Sequence, residues 1–500
     1  MGKMFYSVVN GIQMSGDEVY QVINPANMSV AYEVSCASRK VVTAAVASAR
    51  SAFSTWKKTT LNQRAQILRR AATHMIAGQG LPGDLQVSEI VELIISGMGK
   101  SIHEAEGEVF GAANILNYFA DEGIKFLEDE PQKIDAAWAS KTSKLVFEPL
   151  GVVCIIKPWN YSLEVPLWSI GAALLAGNAV ILKPAEITSG VGCFMAECFA
   201  KAGLPNGVFN VLLGDGQVGE YLLEEKINMV AFTGSTSTGR IIQRVCGERM
   251  IKCNLELGGK DAFLVCPDAD LERASDGAVW GAFTNAGQVC VSGERFYVHE
   301  AVYDEFVALV KKKTKKLKVG MGIAAEVDMG PVAFVKQYEK VKELVADAIA
   351  KGAKVIAGGK PIDRAGYFFE PTVLGNISSN MLLDQEEIFG PVMPIYKVAS
   401  MDRAIAAVNS STYGLGATIW SRDLTKAEEI ARDLEVGMVW VNDINVAFPE
   451  CPWVGRKASG IGVSLSNLGI REYANIKHIN IDCTDEKKQP WWFPYDKDRK

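Results

Sequence analysis

Histidine is scarce in this chain: His74, His103, His299 and His478 are the four among 500 residues. None stands at a metal-ligand spacing from a cysteine, and no Cys-x-x-Cys occurs among the ten cysteines. Neither a metal site nor a disulfide framework is therefore expected, and a reducing compartment, the cytoplasm, is. The same scarcity argues against a Cys-His hydrolase. Charge of one sign is lacking too. The 52 Lys and Arg against 58 Asp and Glu leave a net charge of −6, which gives no electrostatic footprint for nucleic acid. Long hydrophobic runs are missing. The most apolar stretch, Val165 to Leu182, contains Pro166 and Asn178 and follows Glu164, so it reads as a buried helix and strand and not as a membrane span. Met1-Gly-Lys-Met-Phe-Tyr6 has no signal or transit pattern, and Tyr6 occupies the Ser/Thr position of a myristoylation signal.

What is present is apolar bulk, 48% of residues, in a chain long enough for two or three domains. From Gly151 short apolar runs alternate with longer helical ones. Strands are expected at Val152–Ile156, Asn178–Leu182, Val208–Leu213, Met229–Phe232 and Cys253–Leu257. Helices are expected over Leu163–Ala176, Ser189–Ala202 and Ser235–Val245. Strands separated by helices of this length make a parallel sheet, which binds dinucleotides at the carboxyl ends of its strands. A second series follows Lys260: strands at Ala262–Cys266, Arg295–Val298, Val392–Lys397, Gly416–Trp420 and Met438–Val441, with helices at Val302–Leu317 and Val335–Ala350. Ser38–Thr55 and Asn62–Met75 read as helices, and Lys141–Pro149 and Ile476–Thr484 as strands outside both sheets. Such arms pair across subunits, because an open edge is a liability. The aromatic tail Pro490–Tyr495 is expected to pack on a neighbour. The fold class is α/β.

Chemistry concentrates in a few motifs. Phe283-Thr-Asn-Ala-Gly-Gln-Val-Cys290 offers a thiol nucleophile, and Leu255-Glu256-Leu-Gly-Gly-Lys260 a carboxylate base. Lys157-Pro-Trp-Asn160 follows the first strand. Asn160 suits an oxyanion donor, or equally a helix cap. Lys183-Pro-Ala-Glu186 follows the second strand, where a base and an acid suit the adenosine ribose hydroxyls or form a solvated ion pair. The carboxylate would favour NAD over a 2′-phosphate. Phe232-Thr-Gly234-Ser-Thr-Ser-Thr-Gly239 opens a helix whose amino end suits a pyrophosphate, or is an ordinary capped helix. It matches neither Gly-x-Gly-x-x-Gly nor a P-loop.

In this order, and in their strand–helix context, these motifs closely resemble the aldehyde dehydrogenase superfamily, from about Asn24-Pro25 to Glu472. The resemblance implies an NAD-binding domain at 1–126 and 149–257, a catalytic domain at 258–457, and oligomerisation arms and tail at 127–148 and 470–500. It implies Cys290 as nucleophile, Glu256 as general base and Asn160 as oxyanion donor. Trp159, Lys183, Glu186, Gly234 and Ser235 would contact adenosine and pyrophosphate, and Glu387 and Phe389 the nicotinamide end. The implied cofactor is NAD, with NADP as the alternative, and the implied assembly a homodimer or homotetramer. Two departures stand out. Val463-Ser464 replaces the Arg-Glu that many members carry after Ser-Gly-x-Gly, which puts a relay through that position in doubt. Gly97-Met-Gly-Lys100 replaces Glu/Asp-Thr-Gly-Lys.

Tyr161, Trp168 and Trp453 match aromatic positions of the family's substrate tunnel, an arrangement that suits a betaine or amino aldehyde through cation–π attraction. Thr284 stands where those enzymes carry a further Trp, six residues before the nucleophile. The alternatives are a neutral aliphatic or aromatic aldehyde and succinic semialdehyde. Glu108 is a weaker expectation at the tunnel mouth, and Arg295 and Arg456 are basic residues with no assigned place. Against these stand a CoA-acylating enzyme, disfavoured by Glu256, a thiol hydrolase without cofactor, and a catalytically silent NAD-binding structural protein.

Overall fold

The computed structural model describes residues 3–77, 88–135, 138, 140–486, 489 and 491–493. Five strands form the middle of an eight-stranded sheet, in the order Lys252–Glu256, Met229–Thr233, Val152–Ile156, Ala179–Lys183, Phe209–Val211, each neighbouring pair parallel. Val153, Ile155, Val180 and Leu182 point into one core, and Val152, Cys154, Ala179 and Ile181 into another on the opposite face. Burial on both faces is why Val152–Ile156 and residues 179–182 read as unbroken apolar runs. The strand order reverses between Val152–Ile156 and Met229–Thr233, a switch point of the kind that binds ligands at the carboxyl ends.

A seven-stranded sheet follows in the order Lys354–Ala357, Thr372–Gly375, Val392–Val398, Gly293–His299, Asp261–Val265, Gly416–Trp420, Met438–Val441. Lys354–Ala357 runs antiparallel to its neighbour and the other pairs are parallel. Leu257–Lys260 links Glu256, the last residue of a strand in the first sheet, to Asp261, the first of a strand in the second. Residues that follow strands of the first sheet (Pro158, Gly234, Leu257) and residues that precede strands of the second (Cys290, Phe389, Leu415) line one cleft. The carboxyl edge of one sheet thus meets the amino edge of the other.

The arm strand Lys141–Pro149 lies where the sequence put it and pairs antiparallel with Ala474–Asp482 and with Glu130–Gln132. In the tail, the Trp491 ring meets Trp138 edge-on at 4.8 Å and Lys141 Nζ at 5.3 Å, so it packs on its own chain. Pro490, Pro494 and Tyr495 lie outside the described residues. Several elements differ from expectation. Gly460–Ile461 crosses back to pair with Lys252–Glu256 as an edge of the first sheet. Met4–Phe5, Val30–Cys36 and Glu18–Ile23 form a small sheet, and helices run over Glu89–Met98 and Ile102–Asp121. Among the described residues no helix is long and apolar enough to cross a membrane.

Candidate active site

The helix Leu271–Phe283 stops at a turn in which Asn285, Ala286 and Gly287 have φ of 51°, 54° and 72°. A Cβ on Gly287 would stand 2.2 Å from the Gly390 carbonyl oxygen, so only glycine fits there. The left-handed residues are held by side chains. Asn285 Nδ2 donates to the carbonyls of Asn160 and Gln288, both at 3.1 Å. The Glu104 carboxylate accepts from the Asn285 N–H and, at 3.2 Å, from the Thr284 hydroxyl. The turn presents Cys290, partly exposed, to a cleft of about 740 Å³.

Burial holds the Cys290 thiol well above its ordinary range, and Asp261, Glu256 and Glu387 push it further. Such a thiol needs a base to become a nucleophile. Glu256 lines the same cleft, and neither of its buried carboxylate oxygens has a hydrogen-bond partner. Burial raises its pKa, opposed first by the Lys157 ammonium and then by Ser464. The same burial lowers Lys157, whose Nζ donates to Thr233 Oγ1 at 2.8 Å. At Ser464, expected from the resemblance to replace a relay glutamate, a hydroxyl adjoins Glu256. Asn160 Nδ2 donates to the Gln288 carbonyl at 3.1 Å, which leaves its second amide proton for a ligand. It does not cap the helix Glu164–Leu175, whose first N–H groups, of Leu163 and Glu164, are met by the Glu108 carboxylate.

Trp159, Gly234, Ser235, Glu387 and Phe389 line the other end of the cleft. Trp159 stands edge-on to Phe334 at 5.3 Å and to Phe389 at 5.5 Å. Glu387 accepts from the Gly259 N–H at 2.9 Å, and burial raises its pKa, with Glu294 adding. Ser235 caps the helix Thr236–Arg249. Lys183 and Glu186, one strand over, do not border this cavity and pair with each other at 3.0 Å. The capped helix and the ion pair are thus both present, and both leave amino-end N–H groups and ribose partners at the carboxyl edge. An open cleft there, with two bare carboxylate oxygens beside a thiol, fits a bound dinucleotide and a substrate.

The substrate end is aromatic. Trp168 and Trp453 line it with rings 5.1 Å apart, and Trp440 backs Trp453 at 6.1 Å. Tyr161 and Thr284 do not border the cavity. Thr284 is turned to Glu104, and the Tyr161 ring already carries the Lys100 ammonium 3.6 Å from its centre. Glu108 is not at a tunnel mouth. It is fully buried, paired with Lys100 at 2.5 Å, and accepts from the Leu163 N–H at 2.7 Å. Arg295 is spent on the carbonyls of Lys260 and Ala407, and Arg456 is exposed on a short strand.

A nucleophile, a bare carboxylate and a dinucleotide-sized groove between two sheets narrow the comparison to one family. The family model described as "Aldehyde dehydrogenase family" matches residues 12–479. The chain belongs to the aldehyde dehydrogenase family. It is 36% identical to the betaine aldehyde dehydrogenase of Bacillus subtilis over 476 residues, 94% of this chain and 95% of that one. It is also 36% identical to an NADP(+) succinate-semialdehyde dehydrogenase of Escherichia coli, covering 95% and 97%. Among solved structures, an NAD-dependent aldehyde dehydrogenase from Sinorhizobium meliloti matches with a TM-score of 0.93 at 31% identity, covering 98% and 97%. A betaine aldehyde dehydrogenase of Staphylococcus aureus in complex with NAD+ matches with a TM-score of 0.91 at 34% identity, covering 97% and 99%.

Within this aldehyde dehydrogenase fold, sequence reasoning missed Lys157, Glu104, Phe334 and Trp440. Lys157 was visible in Lys157-Pro-Trp-Asn160. Glu104 was visible as the last member of a Ser101-x-x-Glu104 capping box, which the structure contains. Phe334 and Trp440 carried no local signal, since only tertiary packing brings Phe334 to the cleft and Trp440 behind Trp453.

Proposed function

We propose that this chain oxidises an aldehyde to a carboxylic acid with NAD, and that Cys290, Glu256 and Asn160 do the work. The observation that carries this is one cleft in which Cys290, Asn160 and the unpartnered Glu256 carboxylate face Gly234, Glu387 and Phe389. Cys290 Sγ, its proton passed to Glu256 directly or through water, attacks the carbonyl carbon. The oxyanion rests on the free Asn160 amide proton. NAD+, held against Gly234, Glu387 and Phe389, would supply the hydride acceptor for that carbon. Cys290 is then a thioester. Glu256, once it has released that first proton to solvent, takes a proton from water, whose oxygen attacks the acyl carbon; breaking the C–S bond frees the acid, and Glu256 returns the proton to the thiolate. Glu186 disfavours a 2′-phosphate, so NAD is preferred and NADP is the weaker alternative. The arms at 127–148 and 470–500 pair subunits of a homo-oligomer, and ten free cysteines suit the cytoplasm.

The substrate is an uncharged aldehyde with a branched or aromatic tail. Lys100 occupies one Tyr161 face, and of the two lysines lining the cleft, Lys336 and Lys340, the latter is bonded to the Glu387 carbonyl. The second reading, a cationic aldehyde, is favoured by the paired Trp168 and Trp453 rings. NADH formation with betaine aldehyde and with 3,3-dimethylbutanal, its uncharged isostere, separates the two. A kcat/KM at least about tenfold higher for the neutral compound supports the first reading, since a cation–π gain of about 1–2 kcal/mol would reverse it. Higher activity on succinic semialdehyde than on either would overturn both.

A further inference from the structure

Behind the nicotinamide end lies an ion pair that the mechanism above does not use. Lys260 and Glu294 are both buried, with Nζ 3.2 Å from Glu294 Oε2. Glu294 is spent almost entirely on backbone. Its oxygens accept from the Ile388 N–H at 2.9 Å and from the Phe389 N–H at 2.8 Å. Lys260 Nζ also donates to the Glu386 carbonyl at 2.7 Å. The carbonyls of the same segment are taken from the other side. Gln337 Nε2 donates to those of Ile388 and Phe389, and Lys340 Nζ to that of Glu387. Phe389 has φ of 54°, a conformation that a phenylalanine keeps only when its surroundings enforce it.

The clamp reaches the nucleophile as well. Glu294 lies just beyond Cys290, at the start of the strand Gly293–His299, and the turn before Cys290 touches the Gly390 carbonyl through Gly287. One carboxylate therefore ties the cofactor-facing segment to the element that carries the thiol.

We propose that Glu294 is a positioning residue: with Lys260 it sets the Glu387–Phe389 segment, and hence the nicotinamide end of the cofactor, in register with Cys290. The inference rests on the dehydrogenase reading given above. Displacing reacting groups by about 1 Å costs on the order of a hundredfold in rate. Releasing this segment should therefore slow turnover more than it weakens dinucleotide binding, because the adenosine and pyrophosphate contacts lie elsewhere.

Two variants test it. Glu294→Gln leaves the Lys260 charge unpaired in the core. Lys260→Met with Glu294→Met replaces the pair by apolar side chains of similar volume, which buried ion pairs commonly tolerate. Three readouts are taken on the full-length protein: NAD+ affinity by tryptophan fluorescence, the deuterium isotope effect on turnover of a 1-deuterated aldehyde, and the rate of Cys290 alkylation by iodoacetamide without cofactor. The expected result in both variants is a kcat lowered about a hundredfold, an isotope effect that rises, NAD+ affinity lowered less than about tenfold, and cofactor-free alkylation within about threefold of wild type. Turnover within threefold of wild type in the double variant would overturn the proposal. So would alkylation that falls in step with turnover, or loss of folding in both variants, since either assigns Glu294 to core stability. A wild-type protein that binds neither NAD+ nor NADP+ would instead overturn the dehydrogenase reading, and it would do so before any variant is compared.

Discussion

Lys100 is the residue whose replacement gives the sharpest prediction. Its ammonium is 2.5 Å from Glu108 Oε2, and both side chains have no solvent exposure. At an effective dielectric near 20, the attraction at that distance is about 6–7 kcal/mol. Desolvating two ions takes back several kcal/mol for each, so the pair as a whole adds little to stability. Breaking it is different. In Lys100→Met the Glu108 carboxylate stays buried beside the Leu163 and Glu164 N–H groups at 2.7 and 3.4 Å, without a counter-charge. The expected loss is about 3–5 kcal/mol. Adding Glu108→Gln removes the stranded charge and keeps an acceptor for Leu163, so the double variant should return to within about 1–2 kcal/mol of wild type. Urea unfolding followed by tryptophan fluorescence reads both numbers. The reasoning is refuted if Lys100→Met loses less than about 1 kcal/mol, or if the double variant is as unstable as the single one.

Three further outcomes follow from the site. Cys290→Ala should abolish NADH formation and leave NAD+ binding within about twofold, measured by fluorescence titration; surviving turnover would refute the thiol mechanism. Lys157→Met removes the cation that opposes the burial-raised pKa of Glu256. The rising limb of the pH–kcat profile should therefore move up by about 1–3 pH units, and a limb that stays put or falls would contradict the pairing. Burial, with Glu108 adding, pushes Glu164 up to about 7. A carboxyl raised on folding binds more protons in the folded state, so its stabilisation holds at low pH and is lost as pH rises from about 4.5 to 7. Glu164→Gln should then gain up to about 3 kcal/mol over wild type at pH 8 and nothing at pH 4.5; urea midpoints equally displaced at both pH values would refute this.

The sequence was most legible where burial is two-sided. The strand Val152–Ile156 and the strand Gly416–Trp420 fall at their expected limits, because each is a short, almost wholly buried apolar run, interrupted only by Thr418 in the second. It was least legible where packing overrides local pattern. Glu89–Met98 is buried on most of its surface and leaves only a narrow polar stripe of Glu89, Glu92 and Ser96, and glycines interrupt Ile102–Asp121 at 107 and 111. Glu18–Ile23 has a register shift and a mixed, half-exposed surface. Gly460–Ile461 is a strand only because the edge of Lys252–Glu256 is there to pair with it.

The site divides along the same line. Glu256 and Asn160 are legible because one ends and the other follows a strand, and Cys290 because it sits in a fixed motif just before one; the structure brings all three to one cleft. The substrate end was harder to read. Whether Tyr161 presents a free face depends on Lys100, far away in sequence. Whether Thr284 forms a wall depends on the left-handed turn that rotates it toward Glu104. Neither is a property of local spacing.

The central claim is that the acyl group passes through Cys290 and leaves by way of Glu256. The most direct test is rapid acid quench of Glu256→Gln with NAD+ and a preferred aldehyde, followed by mass spectrometry of the peptide containing Cys290. The account predicts one equivalent of NADH and an acyl thioester accumulating on Cys290, labile to hydroxylamine. Continued multiple turnovers with Cys290 unmodified, or an adduct on another cysteine, would contradict it.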